Sequence, residues 1–307
     1  MQVFRHITSQ PLLTTLPPVA LQPTCALAIG NFDGMHLGHQ ALLKKLTQTA
    51  QALNLTSAVM TFEPHPREFF TPESAPARLC SLREKLEHFA DAGVERAYVC
   101  RFNRRFAQVT AGEFMQAILR DSLNAQAILV GEDFRFGAMR AGSIIDFVEA
   151  QFNLISLPQV NLAGARVSST RVRSALAVGN FQEAALLLGR PYSMSGKVVH
   201  GAKRGRQLGF PTANIHMRHE RPAFTGVYAV KLDGLHGVAN LGVRPTIAGV
   251  PKLSLEVHVL DFNGDLYGKH VHVTFLHKIR DEVKFESLDA LKAQIAQDVI
   301  VARNFFL

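Results

Sequence analysis

The 307-residue sequence has only three cysteines, Cys25, Cys80 and Cys100, with no C-x-x-C pair and no short metal-binding spacing. An odd number so placed excludes a disulfide framework and a zinc site, and the thiols are expected to be free and buried. No apolar run approaches the roughly 20 residues that cross a bilayer, so no membrane partner is expected. Residues 1–20 lack the basic, apolar, small-residue order of a secretory signal, and a cytoplasmic protein is the expectation. There is no low-complexity tract, no internal repeat, no Lys/Arg-rich tail and no aromatic RNP-like string. Basic residues exceed acidic ones by 33 to 25, a net charge of +8, yet they are scattered apart from Lys203, Arg204 and Arg206. Such a surface suits anionic small molecules, and no nucleic-acid partner is expected.

What is present is ordinary globular composition, 47% hydrophobic and 19% charged, in a chain long enough for about two domains. The first half alternates expected strands (residues 25–29, 57–62, 96–100, 127–130, 154–157) with expected helices (40–53, 82–92, 112–119, 144–150). In the first helix Leu42, Leu46, Ala50 and Leu53 recur at helical spacing. This alternation implies an α/β domain with a parallel, Rossmann-like sheet whose ligands lie at the carboxyl ends of the strands. Residues 180–189 read as a helical connection ending at Gly189 and Pro191. Beyond about residue 190 the texture is all β, with short runs at 195–200, 226–231, 237–241, 254–260 and 270–275. Asn263-Gly264 between the last two signals a hairpin, so a small antiparallel barrel is expected. Leu288, Leu291, Ile295 and Val299 mark a terminal helix packed on it. The expected domains are residues 1–186 and 187–307.

Residues 29–39, Ile-Gly-Asn-Phe-Asp-Gly-Met-His-Leu-Gly-His, follow a strand and open a helix. The glycines permit close backbone approach and the helix start directs N–H groups at a polyphosphate. His36 and His39, at i and i+3, are placed to donate to oxygens whose charge rises during attack on an α-phosphorus. Alone, the pair would read as surface histidines or a capping histidine. The segment resembles the G-x-F-D-x-x-H-x-G-H signature of the nucleotidyltransferase superfamily, whose second motif, S-S-T-x-x-R, is matched by Ser168-Ser169-Thr170-Arg171-Val172-Arg173. Hydroxyls and a guanidinium are apt for gripping phosphates, while a Ser N-cap with solvated arginines is the plainer alternative.

A second signature, Gly196 to Asn214, resembles that of riboflavin kinases, in which a glycine-rich basic loop covers ATP and Pro211-Thr212-Ala213-Asn214 supplies a metal site. Glu256 lies on an alternating strand that presents one face to a site. The resemblance extends from about Leu27 to Phe306 and is to the bacterial family of bifunctional riboflavin kinases and FMN adenylyltransferases, the FAD synthetases. It implies riboflavin, FMN and ATP as substrates, FAD as product and Mg2+ as cofactor. It implies that Glu256 is the kinase base, and that Gly196, Gly201, Lys203, Arg206, Gly209, Thr212 and Asn214 hold ATP, with Thr212 and Asn214 on the metal. Arg280, Glu282 and Phe285 would contact the flavin. Lys203 to Arg206 reads either as a flap over ATP or as a solvated loop. For adenylyl transfer it implies His36 and His39 as catalytic residues, and ATP held by Gly30, Asn31, Phe32, Asp33, Gly38, Ser168, Ser169, Thr170 and Arg171. His65, Asp133, Phe134 and Arg135 would hold FMN, although a core role is equally open to Phe134 and to Phe136. No Walker motif is present, so phosphates must be held by these two arrangements. An adenylyl- or cytidylyltransferase with another acceptor, its barrel a binding domain, or a flavin- or RNA-binding regulator, would use the same surfaces.

Overall fold

Strands β1 (Gln2–Ile7), β2 (Cys25–Ile29), β3 (Thr56–Glu63), β4 (Arg96–Arg101), β5 (Ala125–Gly131) and β6 (Asn153–Leu157) form one parallel sheet in the order β1-β4-β3-β2-β5-β6. The computed structural model describes residues 1–7, 23–201, 205, 208–217, 221–244 and 252–307. The chain divides into two compact units, Met1–Pro76 with Lys85–Val167, and Ala77–Glu84 with Ser168–Leu307.

In the first unit both faces of the sheet are covered, as a parallel sheet requires. On β2, Cys25, Leu27 and Ile29 point to a core completed by Phe114, Ile118 and Phe147. Ala26 and Ala28 point the other way, and their small side chains admit Leu42, Leu43 and Leu46 of helix α1 (Leu37–Ala52). α1 starts three residues before the expected Gln40 because His36 caps it, its Nδ1 accepting from the His39 N–H at 3.4 Å. Short helix α2 (Pro66–Phe70) follows β3, α3 (Leu82–Asp91) precedes β4, and α4 (Arg104–Ala107) follows it. The helix expected at 112–119 is instead a short α5 (Ala111–Glu113) running into a π-helical turn over Phe114–Arg120. α6 (Ile144–Glu149) completes the layer, and β7 (Asn161–Leu162) pairs with β8 (Ala165–Arg166) in a small hairpin. All three cysteines are free and buried, and burial pushes the Cys25 and Cys100 thiols up to about 12.

The second unit opens with α7 (Ser169–Ala177) and α8 (Phe181–Leu188), the latter capped by Asn180 and ended by left-handed Gly189. These helices pack with the barrel, since the Phe181 ring lies edge-on to Phe224 and Tyr228, 5.2 and 5.4 Å away. Strands β9 (Ser193–Val199), β10 (Ala213–His216), β11 (Gly226–Leu232), β12 (Leu235–Arg244), β13 (Lys252–Val259) and β14 (His270–Arg280) close into a barrel in the order β10-β13-β12-β11-β14-β9. The hairpin expected at Asn263-Gly264 does not form. β13 pairs with β10 and β12 while β14 pairs with β11 and β9, so closure uses both edges of each strand and overrides the local turn signal. Terminal helix α9 (Leu288–Phe306) packs Val299, Ala302 and Phe306 against Val227, Ala229 and Val238 on the barrel's outer wall.

Candidate functional site

One rung of backbone register crosses the barrel wall. Asn214 on β10 is opposite Glu256 on β13, Glu256 is opposite Asn240 on β12, Asn240 is opposite Val227 on β11, and Val227 is opposite Arg280 on β14. Side chains alternate along a strand, so while Leu255 and Val257 fill the barrel, Glu256 between them faces outward. All five members of the rung line a cavity of about 620 Å3, whose far wall is Leu291, Ile295 and Val299 of α9. Thr212, Glu282 and Phe285 line it too. Of the expected kinase residues, Thr212, Asn214, Glu256, Arg280, Glu282 and Phe285 therefore come together, and the apolar stripe of α9 serves this cavity as well as the packing beneath it.

The glycines ahead of Pro211 acquire a reason. A Cβ on Gly201 would collide with the Asn214 carboxamide, and one on Gly205 would meet the Phe210 carbonyl and lie 3.1 Å from Thr212 Oγ1. Gly196 lies against the His216 carbonyl in the same way. Gly209 needs no room but has φ +89, a left-handed value that favours glycine. Lys203 and Arg206 lie outside the described residues.

Arg280, expected to contact the flavin, lines the cavity with its guanidinium held by groups of the fold. Its Nε and Nη2 donate to Asp298 at 2.7–3.1 Å and its Nη1 to the Asp281 carbonyl at 2.9 Å, while Phe285 lies under the guanidinium with its centroid 5.6 Å away. Glu282 rests directly against Gly242. Asp298, Asn240 and His258, whose Nδ1 is 2.8 Å from the Pro211 carbonyl, are cavity residues that sequence reasoning missed. For Asn240 and His258 the sequence signal is strand alternation, which marks a face without saying what it meets, and Asp298 lies on helix α9, where helical spacing does no more.

In the first unit, the carboxyl ends of β2, β3 and β5 carry the expected adenylyltransferase residues from Gly30 to Arg135. The β2–α1 loop turns through three positive φ values, Phe32 +52, Gly34 +81 and Met35 +48. The His36 and His39 rings stack with centroids 3.7 Å apart. Burial first, then the charges of His36 and Lys85, hold His39 well below the ordinary imidazole value, so its ring is neutral. Asn31 Oδ1 and His39 Nδ1 are buried polar atoms without a hydrogen-bond partner among the described residues, an arrangement that fits a ligand supplying one. Phe32 does not fit an ATP contact through its side chain: it is fully buried, edge-on to Phe89, with its ring against Gly30. Positive φ turns that ring inward, where it props the loop. A Cβ on Gly38 would lie 3.1 Å from the His36 ring.

His65 caps α2, its Nδ1 accepting from the Arg67 N–H while Glu68 accepts from the His65 N–H, both at 3.1 Å. Asp133 is paired with Arg166 at 2.7 Å, and Arg135 is exposed. Phe134 stacks on Phe136 and Phe147, and Phe136 is core. In the second unit Ser168 is the N-cap of α7, its Oγ accepting from the Arg171 N–H at 3.2 Å. The arginines there are half-buried and engaged: Arg171 is paired with Glu183 and Arg173 donates to the Ala77 carbonyl.

Comparison with known proteins adds to this geometry. The FAD synthetase family model matches residues 19–171 and the riboflavin kinase family model matches residues 188–306. The bifunctional riboflavin kinase/FMN adenylyltransferase of Escherichia coli K12 is 48% identical over 296 residues, 94% of each chain. Its counterpart from Pseudomonas fluorescens is 49% identical over 288 residues, 91% of this chain and 92% of its own. A solved chain from Streptococcus pneumoniae described as a macrolide-efflux protein superposes with a TM-score of 0.78 at 32% identity, covering 99% of both chains. Among the described residues of this chain no helix is long and apolar enough to cross a membrane.

Proposed function

The chain belongs to the family of bifunctional riboflavin kinases/FMN adenylyltransferases, and from that membership we propose how its residues divide the two reactions. The chain transfers the γ-phosphoryl group of ATP to the riboflavin 5′-hydroxyl, giving FMN and ADP, then transfers AMP from a second ATP to FMN, giving FAD and diphosphate. Residues 187–307 carry the first reaction and residues 1–186 the second, with Ser168–Leu188 packed structurally with the barrel.

The observation that carries the kinase assignment is the rung Asn214–Glu256–Asn240 on the cavity wall. Glu256 takes the proton as the 5′-oxygen forms its bond to the γ-phosphorus and the bond to the β,γ-bridging oxygen breaks. Thr212 and Asn214 offer a hydroxyl and an amide oxygen, hard neutral donors that suit Mg2+, and the close approach of Gly201 and Gly205 fixes their side chains. When bound there, the ion neutralises charge on the phosphates. Positioning and charge neutralisation supply most of the acceleration in such transfers.

For adenylyl transfer, a phosphate oxygen of FMN attacks the α-phosphorus of ATP and diphosphate leaves. His36 and His39, at the start of α1, donate to the phosphate oxygens, and the backbone N–H groups of Gly30 to Gly38 line the triphosphate. Ser168, Ser169, Thr170 and Arg171 are assigned to the phosphates on the family motif. His65, Asp133, Phe134 and Arg135 are assigned to FMN on the same ground. A cytoplasmic location follows from the substrates. The test is a release assay: riboflavin with MgATP is expected to yield ADP and FMN first and diphosphate with FAD afterwards. FMN without ADP release, or diphosphate without FAD, would contradict the assignment.

A further inference from the structure

Asn240 is a polar member of the cavity rung to which neither reaction, as described, gives a task, and unlike Arg280 it is not held by an ion pair. It is exposed within the cavity, and among the described residues its carboxamide makes no hydrogen bond. Its place is fixed by register: directly across from Glu256 on one side and from Val227 on the other. Residues opposed on neighbouring antiparallel strands hold their Cβ atoms about 4.5–5.5 Å apart, so Asn240 and Glu256 reach the same stretch of a bound molecule.

The rung also has a direction. Asn214, beside Thr212, stands at the phosphate end. Val227 and then Arg280, with Phe285 beneath its guanidinium, stand at the other end, against the apolar side chains of α9. From Glu256 to Arg280 is three strand spacings, roughly 14 Å at about 4.8 Å each. An acceptor whose reacting hydroxyl is at Glu256 and whose ring lies near Val227 and Phe285 must pass Asn240 between the two. In riboflavin the part between the terminal hydroxyl and the ring is the ribityl chain, a polyol.

A carboxamide carries both donors and an acceptor and pairs with a hydroxyl in either sense, whereas an apolar residue here would desolvate that hydroxyl without a partner. Resting on the kinase reading above, we propose that Asn240 binds an internal hydroxyl of the ribityl chain. It holds the chain along the rung so that the 5′-hydroxyl arrives at Glu256. It thereby selects acceptors with a polyol arm, independently of the flavin ring.

The test uses the full chain with Asn240→Ala and two probes, riboflavin as substrate and lumiflavin, the same ring carrying a methyl group in place of the polyol, as inhibitor. Loss of one hydrogen bond to a neutral group is expected to lower kinase kcat/KM for riboflavin by about 2- to 12-fold. The inhibition constant of lumiflavin, the KM for MgATP and the adenylylation of supplied FMN should stay near wild type. Asn240→Ser, which restores a shorter hydroxyl, should recover part of the loss. Should the alanine variant not fold, the near-isosteric Asn240→Leu carries the same comparison, since it removes both donor and acceptor without adding charge and is expected to weaken riboflavin but not lumiflavin. Equal weakening of riboflavin and lumiflavin would assign Asn240 to the ring or the wall and overturn the proposal. So would an unchanged kcat/KM for riboflavin, or a rise confined to the KM for MgATP. A wild-type enzyme that left riboflavin unphosphorylated would instead overturn the kinase reading.

Discussion

Arg280 grips Asp298 with two arms of its guanidinium, Nε donating to Oδ1 at 2.8 Å and Nη2 to Oδ2 at 2.7 Å, and Gln294 Nε2 adds a bond to Oδ1 at 2.9 Å. Asp298 is only 2% exposed. The contact ties the end of β14 to the middle of α9, within the helix segment whose Leu291, Ile295 and Val299 wall the cavity. Asp298→Ala leaves the guanidinium without its partner. Breaking a buried pair typically costs several kcal/mol, and because a fifth of the Arg280 side chain remains exposed the loss here is expected to be about 1–3 kcal/mol. The melting temperature should fall and the KM for riboflavin rise more than the KM for MgATP. A variant that melts like wild type would remove the pair from the account.

His39 sets a pH dependence for the first unit. Its folded pKa is held below the ordinary 6.5, chiefly by burial, so the unfolded chain binds a proton that the fold refuses. The stability that this group confers is present above about pH 6.5 and is lost as the pH falls below it toward the depressed folded value. Urea unfolding of the full chain between pH 5 and 7 should show stability decreasing on acidification, with a flatter profile for His39→Gln. Identical slopes would mean that the ring is not buried as described.

Gly201 tests the phosphate end of the cavity. Gly201→Ala must displace the Asn214 carboxamide, because the added carbon occupies its position. Kinase kcat/KM for MgATP is expected to drop about tenfold or more, the scale of a lost contact to a charged group. FMN adenylylation should be unaffected. Full kinase activity would show that Asn214 can shift without consequence, which its assignment as a metal ligand does not allow.

The unit boundary is tested with Phe181. Its ring packs on Phe224, Tyr228 and Phe275, so it belongs to the barrel's aromatic core although it precedes the expected boundary at residue 187. A fragment of residues 168–307 is expected to melt higher than one of residues 190–307. In the longer fragment Phe181→Ala should cost roughly 3–5 kcal/mol. Equal melting of the two fragments would contradict this packing.

Residues whose meaning is local were legible before the fold was known. The loop leading into α1 was visible in its glycines and histidines, although the helix begins three residues before the expected Gln40, β2 was visible in its apolar run, and the Pro211–Asn214 segment in the glycine spacing that brings Gly201 and Gly205 against Asn214 and Thr212. Residues whose meaning depends on pairing were not. No sequence signal gives Asn240 or Asp298 its partner, because barrel register brings one to Glu256 and helix docking brings the other to Arg280. The Asn263-Gly264 signal failed for the same reason: a dipeptide reports a turn but not which strands a closing barrel will pair. β10 was hidden because it has four residues and lies inside a motif read for its chemistry. Phe32 shared the motif, but motif position does not give side-chain direction, and its positive φ turns the ring into the core.

The central claim is that two chemistries occupy separate residues of one chain, and Glu256→Gln tests it most directly. A primary alcohol is a poor nucleophile at neutral pH, and a positioned general base typically contributes roughly 10²- to 10⁴-fold. Glutamine keeps the size and the hydrogen bonding but cannot take the proton. Kinase turnover of riboflavin should fall by about that factor while adenylylation of supplied FMN stays near wild type and the KM for MgATP moves little. If Glu256→Gln keeps most of its kinase turnover, or loses both activities together in a folded protein, the assignment of the two reactions to two separate sets of residues is contradicted.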